Sequence, residues 1–145
     1  MATTPSYDPA DLNPPAAPAT HTHVHSHAQR IVIGIGAYPG ALVANPPDRL
    51  KLRNWWGVAV TITELHYELA SAPAGSGVTI ELRRNGTAVH TATINAAATK
   101  VDYTGLSITW APETETLEMV PTAVGSTTPG STLLGTAIGT VAGSG

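Results

Sequence analysis

From Gln29 onward the chain is a series of short runs in which apolar residues alternate with polar ones, separated by clusters of Gly, Pro, Asn and Ser. This is the period-two signature of strands with one buried face. Arg30 to Ile35 alternates weakly and ends in Gly34-Ile35-Gly36-Ala37-Tyr38-Pro39-Gly40, read here as a turn. Its GxGxxxG spacing and Pro39 do not fit a dinucleotide phosphate loop. Asn45-Pro46-Pro47-Asp48 predicts a second turn, followed by a strand over Arg49 to Asn54 with Leu50 and Leu52 in phase. In Gly57 to Ala70 the phase changes: Val58, Val60 and Ile62 share one parity, and Leu65, Tyr67 and Leu69 the other. A β-bulge near Thr63-Glu64 returns both sets to one core face. Ala72 to Gly77 closes a loop, and Val78, Ile80 and Leu82 then lead into Arg84-Asn85-Gly86-Thr87. Asn-Gly is the favoured centre of a type I′ hairpin. Regular pairing from that turn places Leu82 opposite Val89, and Glu81 opposite His90 on the exposed face. Further strands are predicted over Val101 to Trp110, Leu117 to Pro121 and Leu133 to Val141, with no helical periodicity between them. About eight short strands predict an all-β fold, an antiparallel β-sandwich of jelly-roll type.

The first part of the chain has a different texture. Residues 2–19 carry five prolines, at Pro5, Pro9, Pro14, Pro15 and Pro18, which excludes a packed helix or a central strand. The chain therefore divides into an extended Pro-rich N-terminal arm over residues 1–28 and a β-sandwich over 29–145. Tyr7, flanked by Asp8 and Asp11, is the candidate anchor by which the arm docks on a partner; the same composition also fits a linker without contacts. At the end of the arm, His21, His23, His25 and His27 stand at a strict spacing of two, with Thr22, Val24 and Ser26 between them. In an extended segment they form one row with neighbours roughly 6.6 to 6.8 Å apart. One row offers a metal two adjacent imidazoles at best. Three parallel copies would offer rings of three, and two rings six nitrogens, a set suited to an octahedral first-row metal such as iron, nickel or zinc. A solvated polar spacer, or a tag, also fits the row.

Charge and composition narrow the function. Charged residues make up 12% of the chain, about half the usual ~25%. The net charge of -3 provides no basic field for nucleic acid, and no such contact is expected. There is no cysteine, so any metal must rely on His, carboxylates or water. The sequence starts without a signal-peptide pattern and has no apolar run of membrane-spanning length, which predicts assembly in a cytoplasm without membrane insertion.

Read from Trp56, roughly ninety residues resemble a β-sandwich module of tail-fibre and other appendage proteins of tailed bacteriophages. Four pieces in order carry the resemblance: Ile62-Thr63-Glu64-Leu65, Ala72-Pro73-Ala74-Gly75, Leu82-Arg83-Arg84-Asn85-Gly86-Thr87, and Val124-Gly125-Ser126-Thr127-Thr128-Pro129-Gly130-Ser131. His21 to His27 resemble the His-x-His rows with which phage fibres hold metal along a threefold axis. Glu113-Thr114-Glu115-Thr116 departs from the Gly-Asp turn the module would have there. The resemblance implies a virion structural protein, and with it a homotrimer located in the tail or on the capsid surface.

Catalytic chemistry is not expected. Serines are scattered in turns, there is no nucleophile elbow, and Glu113, Glu115 and Glu118 read as a solvated acidic edge. His66 is expected to face away from the core, and Trp110 to enter it. An extended backbone would point Trp55 and Trp56 to opposite faces, one into the core and the other toward a neighbour or a sugar. With Tyr38 and Tyr103 they are the candidate glycan or interface aromatics. The leading expectation is a short trimeric tail fibre that attaches to another virion protein by its arm and presents the β domain to a host-surface glycan. A trimeric capsid decoration protein is the alternative, and a carbohydrate-binding module the second.

Overall fold

The computed structural model describes residues 28–142. The arm anchor Tyr7, Asp8 and Asp11 and the row His21, His23, His25 and His27 lie outside the described residues. Nine strands follow in order: β1 (Gln29–Ala41), β2 (Leu52–Arg53), β3 (Val60–Ser71), β4 (Val78–Arg84), β5 (Thr87–Ile94), β6 (Lys100–Tyr103), β7 (Ile108–Trp110), β8 (Thr116–Ala123) and β9 (Ser131–Val141). The described residues contain no helix. One antiparallel sheet has the order β1-β9-β3-β6, with β7 also on β3; the other has the order β2-β8-β4-β5. Successive strands cross between the sheets except at the β4–β5 hairpin and the β6–β7 pair, which is the winding of a jelly roll. Val60, Ile62, Leu65 and Tyr67 of the first sheet meet Ile80, Leu82, Ile94 and Leu117 of the second in a fully buried core. Burying each such side chain is worth about 1.5–3 kcal/mol.

The bulge lies where the parity changes. On β9, Ile62 pairs with Gly139 and Glu64 with Ile138, leaving Thr63 as the extra residue. Val60 and Ile62 before it, and Leu65, Tyr67 and Leu69 after it, all turn inward. Val58, expected in the same set, precedes the strand and is exposed. On the other side of β3, Val60 to Ile62 pair with β7, and Leu65 to Glu68 with β6. The predicted strand over Val101 to Trp110 is thus two strands, because one straight partner cannot stay in register past an extra residue. The bulge is bonded on both sides: Leu106 N–H donates to the Thr63 carbonyl at 3.0 Å, and the Thr63 hydroxyl to that of Ile138 at 3.2 Å.

Asn85 and Gly86 form the predicted turn, both with positive φ (53° and 84°), and Arg84 pairs with Thr87. Beyond it the register slips. Leu82 stands opposite His90, and Glu81 opposite Thr91, so the expected Leu82–Val89 and Glu81–His90 pairs do not form. Glu81 instead accepts a hydrogen bond from Arg83 Nε at 2.8 Å. His90, half-buried, packs edge-on against Tyr103 with ring centroids 4.6 Å apart, and burial lowers its pKa.

Gly34 to Gly40 is not a turn: β1 continues through it with register shifts at Gly34/Gly36 and Tyr38/Ala41. Gly36, together with Gly135 of β9, leaves room for Met119, which reaches across from β8. A Cβ on Gly36 would lie 2.9 Å from its Cε, and one on Gly135 would overlap its Sδ. The strand expected over Arg49 to Asn54 shrinks to Leu52–Arg53, and Leu50 is exposed. The segment before it crosses the outside of the second sheet, with Asn45 N–H donating to the Pro121 carbonyl at 2.7 Å. It covers Glu118, which is only 4% exposed and faces Arg49 at 3.3 Å. Glu118 is therefore a buried ion-pair partner and no part of a solvated edge. Glu115 is also engaged, accepting from Ala111 N–H at 2.6 Å, which leaves Glu113 as the solvated member.

At one end of the sandwich the β3–β4 and β8–β9 loops interlock. Ala74 N–H donates to the Thr128 carbonyl, and Thr127 N–H to that of Ala74, each at 2.9 Å. A Cβ on Gly125 would collide with the carbonyl oxygens of Thr128 and Ala74. Replacing Gly125 with Ala is expected to destabilise the fold by about 2 kcal/mol or more, measured by denaturant unfolding. Gly86→Ala, where the added methyl meets open space but a positive φ, should cost about 1 kcal/mol.

Candidate functional site

The corner between β2 and β3 is built on Asn54, whose side chain is fully buried. Its Nδ2 donates to the carbonyls of Val58 and Trp110, and its Oδ1 accepts from Trp56 N–H, all at 2.9 Å. Its own carbonyl accepts from Glu113 N–H at 2.8 Å. An amide saturated in this way offsets its desolvation and closes residues 54–58 into a fixed loop, with Gly57 at φ 77°.

That closure turns both tryptophans outward. Trp55 is 72% exposed and Trp56 45%, so neither enters the core. The expectation of opposite faces fails because the backbone bends over Trp56 to Val58 where an extended one was assumed. Trp110 takes the core position, as its alternation predicts, with Nε1 donating to the Glu115 carbonyl at 2.9 Å. Trp56 stands edge-on to Trp110, centroids 6.0 Å apart, and the Arg53 guanidinium lies 5.6 Å over the Trp55 ring. Across from them, Ile33 and Gly34 of β1 complete a cleft of about 240 Å³, with Leu52 also lining it. Arg53 is the one charged residue in this lining. The cleft suits an apolar or ring-shaped group held against indole, with a negative charge nearby.

The other candidate aromatics do not join it. The Tyr38 hydroxyl donates to the Met119 carbonyl, and burial raises its pKa. The Tyr103 hydroxyl accepts from Thr93 N–H at 3.1 Å. The two tyrosines lie on β1 and β6, opposite edges of the first sheet, so no platform unites all four aromatics. Sequence reasoning passed over Asn54 and Arg53. Asn two residues ahead of a tight turn that ends in Gly, as in Asn54-Trp55-Trp56-Gly57, was the available signal.

A second cluster occupies the outer face of the first sheet. His66, which faces away from the core as expected, has Nδ1 2.7 Å from Asp102 Oδ1 and Nε2 3.0 Å from Glu64 Oε1. Arg30 lies 3.9 Å from Glu64. The hydrogen bond to Asp102, with a smaller contribution from Glu64, raises the His66 pKa against the opposing effect of burial. The same bond lowers the pKa of Asp102. Asp102 reaches His66 only through the β3–β6 pairing, which no local sequence pattern reveals.

No protein-family model matches the chain, and no curated protein matches it in sequence. Among solved structures it is similar to a chain of the cyanophage Pam1 capsid asymmetric unit. The identity is 15%, over 95% of this chain and 99% of that one, with a TM-score of 0.51. The likeness is one of fold. A Podospora anserina GH26-CBM35 β-(1,4)-mannanase gives a TM-score of 0.44 at 10% identity, over 80% of this chain and 28% of that one. This lies below the level at which a likeness bears on the chain.

Asn54→Ala leaves two carbonyls and an N–H without their partner and is expected to destabilise the protein by about 2–4 kcal/mol, read by denaturant unfolding. For His66, the folded pKa lies above the unfolded one, so its stabilisation is present below the unfolded value and is lost as pH rises through the folded one. Asp102, with a lowered pKa, stabilises above its unfolded value and loses this as pH falls through the folded one. The Tm difference between the wild type and His66→Gln should therefore be largest between the ordinary carboxylate and imidazole ranges, about pH 5–6, and shrink as pH rises through the raised pKa of His66.

Proposed function

We propose that the protein is a structural component of a phage virion, and specifically a capsid decoration protein that binds the shell through its N-terminal arm. The observation that carries this reading is the extent of the likeness to the cyanophage capsid chain, which takes in nearly the whole of both chains. A shared sub-module would leave part of one chain unmatched. The jelly-roll winding, the low charge and the Pro-rich arm support the same reading. Its mechanism is binding without turnover. In this proposal three copies associate, and His21, His23, His25 and His27 hold a first-row metal on the trimer axis while Tyr7, Asp8 and Asp11 contact the shell.

The short tail fibre is the second reading, favoured by the likeness of the His row to fibre metal rows. Copy number separates the two. Quantitative mass spectrometry of purified particles is expected to find this chain in fixed proportion to the major shell subunit. A small number of copies per particle, confined to the tail, would overturn the decoration reading in favour of the fibre.

A further inference from the structure

The Trp55/Trp56 cleft lacks what a sugar site needs. Sugar hydroxyls require several converging polar groups, and Arg53 is the one polar side chain in the lining besides the indole N–H groups. Aromatic-walled apolar clefts of this kind suit proline rings, which stack on indole and arrive already ordered in a polyproline II strand.

The sequence carries the composition for such a strand. Pro15-Ala16-Ala17-Pro18 places two prolines three residues apart. On a polyproline II helix these lie on one edge, roughly 9 Å apart. Charge agrees with this pairing. Residues 1–27 contain Asp8 and Asp11 and no Lys or Arg, whereas the one charged residue lining the cleft is Arg53. Geometry then bears on which copy supplies the strand. The described chain starts at Ala28, and the cleft wall, Ile33 and Gly34, lies five and six residues further along β1. Doubling back to its own cleft would require the segment 19–28 to reverse. That segment contains no Gly, Pro, Asn or Asp, and Ser26 is its one residue of a turn-favouring type. Ten residues separate Pro18 from Ala28 and span about 30 Å when extended, which reaches a neighbouring copy.

We propose that the Asn13-to-Pro18 segment of one copy docks in the Trp55/Trp56 cleft of a second copy, so that the arm links neighbouring β domains. This holds wherever on a particle the protein resides.

The absence of cysteine makes the test direct. Gly34 lines the cleft, and a Cβ there meets no atom within 4 Å, so Gly34→Cys places a thiol in the wall without displacing anything. Full-length Ala16→Cys and Gly34→Cys proteins are mixed and mildly oxidised. The expected result is a mixed disulfide pair exceeding, on the order of tenfold or more, that of Ala16→Cys with Ser107→Cys, an exposed position between β6 and β7. Pro15→Ala/Pro18→Ala in the Ala16→Cys chain should remove the excess. Equal yields with both partners would overturn the proposal. So would an intramolecular disulfide in the Ala16→Cys/Gly34→Cys double variant at high dilution, which would show docking within one chain. Equal yields together with glycan binding that Trp55→Ala abolishes would assign the cleft to a sugar instead.

Discussion

The first sheet depends on β3 being bonded on both sides while carrying one residue too many. A twelve-residue strand with β9 on one flank and two short strands on the other holds most of that sheet together. Its extra residue, Thr63, would be a defect if its carbonyl were left without a partner in the interior. The amide of Leu106 and the hydroxyl–carbonyl bond to Ile138 resolve this, and they do so by interrupting the neighbouring strand. The break between β6 and β7 and the bulge in β3 are one feature seen from two strands. Trp110 follows from it, since β7 carries this residue into the core beside Val60.

What was legible in the sequence is what local physics decides. The parity change between Ile62 and Leu65 located the bulge, and Asn85-Gly86 fixed the hairpin turn because few other residue pairs accept two positive φ angles. Less legible were features set from across the sandwich. Gly34 to Gly40 has the composition of a turn, yet Gly36 within it answers to Met119 on the opposite sheet. The register slip in β5 likewise has no marker in its own strand; it brings His90 onto Tyr103, a residue of the other sheet. The cleft was half legible. Trp55 and Trp56 stood out by composition, but their direction depends on Asn54, whose partners include a carbonyl 56 residues away.

Of the four sequence pieces that carried the likeness to phage appendage modules, two turn out to be a single contact. Ala72 to Gly75 and Val124 to Ser131 bridge through Ala74 and Thr128, and Gly75 and Gly125 are both needed for the backbones to approach so closely. Motifs far apart in a β-sandwich sequence can thus report one constraint, the closing of one end of the sandwich. Arg49 and Glu118 show a different economy. In a chain with few charges, an ion pair is placed beneath a loop with no element of its own, and it fastens that loop where apolar contact is sparse.

The pairing of β1 with β9 has a mechanical consequence. Gln29 and Val141 share the outermost rung, so the chain leaves the domain at residues 28 and 142 from adjacent positions on neighbouring strands. A pull directed across the sheet at residue 28 would open this ladder like a zipper, one rung after another. A pull along the β1 axis would load its rungs together. The same hydrogen bonds thus give a weak or a strong attachment according to the direction of strain, and whatever residue 28 is tied to determines which of the two the domain feels.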